Sequence, residues 1–453
     1  MRKKRRFSLS TTQVILLSFL FMILVGSVLL ALPISSADGN PISYLDALFT
    51  ATTATCVTGL VTVTTASAWS TFGHVVILIL IQVGGLGIIT VISGIMLTMH
   101  RRMGLGEWIL LKDAFNLNTL SGMAAFVKKV ILGTFLVEGI GALLYMPVFI
   151  PRFGLRGIWI SLFTSVSAFC NAGIDILSDN SLCDYATNPM VNFLTCALII
   201  LGGIGYIVWW DVLRVLKDFP KKKLRTFRSL TLHSKIALSA SAFLVFTGTL
   251  LILLFEYNNP LTLRDLSFFD KLQVSFFQSV TTRTAGFATI PQQNFSAAGS
   301  FVCLLLMFIG GSPVGTAGGI KTVTITVLFS SALSTISQKN ETTLFGRDIP
   351  RESIRKAAAV TSVSFLILFL STVLLSAVTD AGALDILYET VSATATVGLT
   401  RNLTPLLNLW GKLIIIVTMY LGRVGPISLA IAFYTHKESK NIIKNPTEEI
   451  SVG

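Results

Sequence analysis

The chain repeats one short pattern four times. Residues 49–59 read "FTATTATCVTG", 163–173 "FTSVSAFCNAG", 276–286 "FFQSVTTRTAG" and 388–398 "YETVSATATVG". Each begins on Phe or Tyr, ends on Gly without a gap, and is followed by an apolar residue: Leu60, Ile174, Phe287 or Leu399. The glycines are 114, 113 and 112 residues apart. A chain of 453 residues so organised folds as four related units, not as one irregular core.

Hydropathy places those units in a bilayer. Hydrophobic residues make up 53% and charged residues 13%, where a soluble chain carries about 25%; mean hydropathy is +0.76. Each unit has a first apolar span (14–32, 126–150, 236–255, 360–378), a middle segment ending at the Gly, and a second span (73–99, 190–210, 301–330, 410–434). The first span, at about 19 residues, is read as a retained helix rather than a signal peptide. The middle segments, about 12 residues each, are too short to cross ~30 Å of hydrocarbon. They read as re-entrant half-helices followed by extended backbone, which lipid tolerates only around a cavity.

The expected fold is an all-α polytopic membrane protein. Four parallel units of first helix, pore helix, filter strand and second helix surround a pseudo-fourfold pore, giving eight transmembrane helices and four re-entrant ones. Two crossings per unit return the chain to its starting side, so the repeats are parallel and not inverted. Unit boundaries fall at 1–108, 109–225, 226–345 and 346–453, with filter segments 55–59, 169–173, 282–286 and 394–398.

Twenty-six of the 35 Lys and Arg lie in the segments 1–13, 100–129, 211–235, 336–357 and 436–453. Both termini are therefore expected in the cytoplasm, with the four motifs opening outward. The net charge of +13 is then mostly topology and does not argue for nucleic acid. Five scattered cysteines and four histidines supply neither a disulfide framework nor a metal site, and no convergent set of catalytic groups appears in the spans, where Glu138 is the one clear acid. No enzyme is expected.

A cation crossing a membrane exchanges its hydration shell for fixed oxygens, and rings of backbone carbonyls supply them. "TCVTGL" and "TATVGL" combine β-branched residues, which hold extended backbone, with a Gly that permits unusual dihedrals. A preceding half-helix aims its partial negative charge at the ion path. With these motifs and its glycine-rich second spans, the chain resembles, over nearly its whole length, the superfamily of bacterial Trk and Ktr and plant HKT potassium transporters. It is most similar to the membrane subunit of Ktr systems. Its start directly at the first unit, without an additional helix pair, agrees with the Ktr branch.

The resemblance implies that Gly59, Gly173, Gly286 and Gly398 form the selectivity filter with the carbonyls before them. Those belong to Cys56, Val57 and Thr58; Cys170, Asn171 and Ala172; Arg283, Thr284 and Ala285; and Ala395, Thr396 and Val397. It also implies potassium uptake, with sodium as activator or coupling ion, and Gly59 rather than Ser favours potassium. The alternative is a sodium-permeable or nonselective relative. Arg283 is expected to point behind the filter, since a cation facing the pore would repel potassium. Asp46 and Asp385 either draw cations to the mouth or stabilise pore-helix N-termini, the second being preferred. Asp175 is a candidate for the outer vestibule.

The third unit carries "IGGSPVGTAGGIKT" over Ile309–Thr322. Gly310, Gly311, Gly315, Gly318, Gly319 and Pro313 argue against a continuous helix, since Gly costs about 1 and Pro about 3 kcal/mol relative to Ala. An intramembrane loop over 309–321, acting as a gate, is what the resemblance implies. The milder stretches 83–89 and 201–207 are read as close helix packing through small residues. Arg423 replaces a Gly of the other units with a charge at membrane depth, and the family places such an arginine beside the loop. Lys321 is either part of the gate or a side chain reaching toward the cytoplasm. "GTAGGIKT" is no phosphate loop, because Ile320 stands before Lys321. The resemblance further implies a homodimer with two pores and a cytosolic ring of KtrA-like nucleotide-binding regulatory subunits, contacted by the basic loop 217–235 and the C-terminal tail. Anionic membrane lipid is a further partner of that loop. Any nucleotide acts only through that partner; no cofactor is expected, and the location is the bacterial plasma membrane.

Overall fold

The computed structural model describes residues 10–99, 122–217 and 227–425, with a few positions between 104 and 109. The first unit runs α1 (Thr11–Leu30), α2 (Tyr44–Cys56), α3 (Thr71–Leu86) and α4 (Ile88–Thr98). The second runs α5 (Met123–Phe153), α6 (Arg156–Phe169), α7 (Pro189–Gly203) and α8 (Tyr206–Lys217). The third has α9 (Leu232–Glu256), α10 (Phe268–Thr281), α11 (Ala297–Phe308) and α12 (Thr322–Ile336). The fourth has α13 (Arg351–Ser376), α14 (Ala383–Thr394) and α15 (Leu409–Val424). The basic N-terminus, residues 218–226 of the 217–235 loop and the C-terminal tail lie outside the described residues.

Helices α1, α5, α9 and α13 are long and apolar enough to cross a membrane. They are built inside out. Leu17, Phe21, Leu24 and Val28 on α1, and Phe243, Phe246, Leu250 and Leu254 on α9, form exposed apolar stripes at helical spacing. The short helices α2, α6, α10 and α14 are the reverse, with most of their residues buried. Each packs against the long helix that precedes it.

The second helix of each unit packs against the short helix of the next: α3 on α6, α7 on α10, α11 on α14, and α15 back on α2. The chain thus closes a ring. Its seam is held by Lys412 Nζ on Asp46 Oδ1 at 2.6 Å, and Arg401 Nε meets Asp385 Oδ1 at 2.7 Å. Both aspartates lie in the first turn of a short helix and are ion-paired there.

Small residues let these helices approach. A Cβ on Gly84, Gly202 or Gly422 would strike the carbonyl of Thr55, Phe169 or Thr394, each four residues before a motif Gly. Packing is only part of what the second spans do, and the expectation of continuous helices in units one and two is corrected. Helices α3 and α4 meet at 93°, and α7 and α8 at 101°. The hinges are Gly87 (φ 85°) and Gly205 (φ 92°), where a side chain would be strained. Between α11 and α12 the break widens to the irregular segment 309–321. Among the described residues the only strands are the two-residue arms of a hairpin at Thr343–Asp348, so the segments after the short helices are not regular strands.

Candidate functional site

The four motif glycines converge. A Cβ built on Gly59 would lie 2.6 Å from Ala172 O; on Gly173, 2.5 Å from Ala285 O; on Gly286, 2.5 Å from Val397 O. On Gly398 it would collide with Thr58 O. Each glycine therefore meets the carbonyl preceding the glycine of the next unit, around a closed cycle of four. All four have positive φ, between 64° and 101°. With no room and no permitted backbone, any side chain here displaces a neighbouring strand.

The residue two before each glycine is left-handed as well: Val57 (φ 54°), Asn171 (58°), Thr284 (65°) and Thr396 (51°). Sequence reasoning missed this. For β-branched Val57, Thr284 and Thr396 the conformation costs about 1–3 kcal/mol each, and it persists only where the surroundings enforce it. Hydroxyls of the short helices do the enforcing. Gly59 N donates to Thr53 Oγ1 at 2.9 Å, Gly398 N to Ser392 Oγ at 3.0 Å and Ile174 N to Ser167 Oγ at 3.1 Å, while Thr281 Oγ1 donates to Phe287 O at 2.6 Å. Their common signature is a Ser or Thr five or six residues before the glycine.

Around this ring, buried polar atoms without a protein partner recur: Oγ1 of Thr55, Thr58, Thr394 and Thr396. Cys56 and Cys170 are free and fully buried. Cys170 Sγ points at Glu138 Oε1, 3.7 Å away. Two further buried acids escaped the sequence reading. Glu389 accepts from Thr400 and Thr404 and so fixes the segment after Gly398. Glu256 accepts from Ser296 at the start of α11. Asp175, two residues beyond Gly173, is half-buried, accepts from Leu177 N at 3.2 Å, and has its carboxyl pushed up to about 6 by burial.

Arg283 turns away from the ring. Its guanidinium donates to Ser241 Oγ on α9 (3.1 Å) and to Gly310 O (3.3 Å), at 8% exposure.

The 309–321 segment of the third unit touches residues of the second and fourth units as well as its own, and reaches the first only through Arg423. Its ends lie side by side, with Gly310 N on Ile320 O (2.9 Å) and Thr322 N on Gly311 O (3.0 Å). Gly318 N donates to Thr284 Oγ1 at 3.1 Å, and a Cβ on Gly318 would lie 2.7 Å from Ala395 O. Thr316 Oγ1 is 3.0 Å from both Phe169 O and Asn171 Oδ1. A hydroxyl carries one proton, and Asn171 Nδ2 is otherwise unpartnered. The pair is satisfied with the Asn171 amide turned so that its NH2 donates to Thr316, which donates to Phe169 O.

The α7–α8 hinge has its explanation here. Ser312 N takes Gly203 O (2.8 Å), Thr316 N takes Gly202 O (3.1 Å), and Tyr206 N takes Val314 O (2.9 Å). The backbone groups freed by the break are satisfied by the segment. A Cβ on Gly315 would lie 2.8 Å from Gly202 O, and Gly319 has φ 63°. Arg423 clamps the far side, donating to Thr316 O (2.6 Å) and Gly84 O (2.5 Å). Lys321 does not reach outward: its Nζ folds back on Ala317 O (2.5 Å) and Gly318 O (3.5 Å).

Comparison with known proteins gives this arrangement a context. Residues 4–445 match the family described as TrkH, cation transport protein. The chain is 40% identical over 442 residues to the Ktr system potassium uptake protein B of Bacillus subtilis, covering 97% of this chain and 96% of that one. It is 39% identical over 460 residues to the potassium/sodium uptake protein NtpJ of Enterococcus hirae, covering 100% and 99%. The crystal structure of the potassium transporter TrkH from Vibrio parahaemolyticus superposes with a TM-score of 0.75 at 18% identity, over 96% of this chain and 87% of that chain. That superposition speaks for the fold alone.

Proposed function

The chain belongs to the TrkH family of cation transport proteins, and from that premise we propose that it is the pore-forming subunit of a Ktr-type potassium uptake system. The observation that carries the reading is the closed cycle of four glycines, each against the carbonyl before the next. Left-handed residues at the glycine and two before it set this backbone apart from helix and strand, and carbonyls gathered this closely supply the oxygens that a dehydrated monovalent cation requires. The residues of 55–59, 169–173, 282–286 and 394–398 then form the filter, one strand from each unit of a pseudo-fourfold pore. Unit boundaries lie near residues 108, 225 and 345.

Residues 309–321 are the gate in this reading. What supports it is that the segment is tied by Thr284, Asn171, Arg283 and Arg423, the first three being residues of the motifs themselves. Conduction requires it to leave. A cytosolic KtrA-like ring of nucleotide-binding subunits supplies the control, and the protein works as a homodimer of separate pores, with both termini cytoplasmic, in the bacterial plasma membrane. Sodium acts as activator or coupling ion. The name of the 39%-identical relative, a potassium/sodium uptake protein, favours one second reading: a pore passing both ions.

Purified protein in liposomes separates the two. Potassium and rubidium flux well above sodium and lithium supports the selective reading; equal flux overturns it. Gly59→Ser should lower the potassium-to-sodium ratio at least tenfold, because the added Cβ would sit 2.6 Å from Ala172 O. An unchanged ratio means the carbonyl ring is misassigned. Growth of an uptake-deficient bacterium on low potassium, with and without the regulatory subunit, tests the partner.

A further inference from the structure

A long apolar groove opens sideways from the protein between α7, α9 and α10. Its volume is about 660 Å³, and its walls include Phe193, Ile200, Leu238, Phe246, Leu253 and Phe276. Along α9 it extends from Leu238 to Leu253, about 22 Å at 1.5 Å per residue. The rim residue Phe246 is 71% exposed, on the face that meets the hydrocarbon. One end is polar. Ser241 and Arg283 line it, and a narrower cavity continues past them to Gly311; Thr249 and Gln273 are the other polar residues of the lining.

Arg283 is the anomaly. It is buried, its partners are a hydroxyl and a backbone carbonyl, and its Nε has no partner at all. Among the described residues no carboxylate lies within ion-pair distance of it. Buried charges are ordinarily paired. An apolar trough leading to an unpaired guanidinium matches a ligand of the same build, with a hydrocarbon chain and an anionic end.

The polar end selects the occupant. Arg283 is buried, and only a narrow cavity lined by Ser241, Val280 and Gly311 continues past it, so an anion that meets it there is small and carries its charge at the very end of its chain. A carboxylate on a single extended hydrocarbon chain meets both conditions, whereas a phosphodiester would bury its glycerol and headgroup among apolar walls. From Ser241 to Leu253 the trough offers about 18 Å to such a chain.

We propose that this groove is a binding site for one long-chain fatty acid, its carboxylate on Arg283 and its tail along α9 toward Leu253. The ligand would lie one residue away from the 309–321 segment, because Arg283 also holds Gly310 O.

The test uses the purified full chain and a palmitic acid carrying a photoreactive diazirine in its tail, with labelled peptides mapped by mass spectrometry. Labelling is expected within 238–253 and 269–276, and palmitate should compete at least tenfold better than hexadecanol, which has the tail without the charge. Arg283→Gln should cut labelling at least tenfold, and Ala242→Trp, which fills the trough, should abolish it. Equal competition by hexadecanol, or labelling spread evenly over the lipid-facing helices, overturns the proposal without requiring any variant to fold. A cross-link between two copies through Phe246 overturns it as well. None of these readouts depends on ion selectivity, so the failure of the transport reading would leave them intact.

Discussion

Thr316→Val tests whether the 309–321 segment is held shut by the ring it underlies. The substitution keeps shape and removes the hydroxyl that lies 3.0 Å from Phe169 O and 3.0 Å from the Asn171 amide. The backbone bonds of residue 316, to Gly202 O and from Arg423, stay in place. Two neutral hydrogen bonds contribute about 0.5–1.5 kcal/mol each, so the seated segment loses about 1–3 kcal/mol. Once the segment leaves, the same groups are free to meet water, and the loss falls on the seated state alone. That shifts the seated-to-released ratio about 5- to 150-fold. The assay is the initial rate of radioactive rubidium uptake into proteoliposomes, with the size-exclusion profile as a control on folding. The expected result is a rate at least fivefold higher with an unchanged potassium-to-sodium ratio. Combining it with Asn171→Ala should add less than the sum of the two, since they share the Thr316–Asn171 contact. A well-folded Thr316→Val protein with an unchanged or lower rate refutes the reasoning.

Arg423→Gln removes charge-assisted bonds to Thr316 O and Gly84 O, worth about 1.5–3 kcal/mol each. Rubidium flux should rise at least tenfold, and Arg423→Lys should not restore the closed behaviour, because one ammonium lacks the planar fork that spans both carbonyls. For Asp175, burial places the carboxyl near 6. It is charged above that pH and neutral below it, so any attraction it exerts on external cations is lost as outside pH falls through 6. The potassium concentration for half-maximal uptake should rise over that interval, and Asp175→Asn should show the acid value throughout; a wild-type curve flat from pH 7 to 5 refutes it.

The four motifs and the apolar spans are local signals, and the glycines, the short helices and the irregular third unit are legible in them. What stayed hidden depends on contacts far along the chain. Gly205 breaks its helix because residues 312–316 take the carbonyls of Gly202 and Gly203, a partnership over a hundred residues long. Thr316 and Asn171 are 145 residues apart, and Asp46 and Lys412 are 366 apart. Composition also misleads at Val57 and Thr396, since β-branched residues suggest extended strand and the surroundings impose left-handed turns. Glu389 shares a short polar helix with the ion-paired Asp385, and nothing local marks it as buried; Thr400 and Thr404, eleven and fifteen residues on, fold back on it.

The glycine cycle has a direction. Each glycine presses first on the carbonyl of the unit that follows it in the chain, and Gly398 presses on the first. A bulkier residue at one position therefore harms its downstream neighbour before its own strand. Four chemically identical substitutions are then four different experiments: the one at Gly173 pushes on Ala285, in the strand whose Arg283 and Thr284 hold the 309–321 segment, and is the one whose damage should reach the gate.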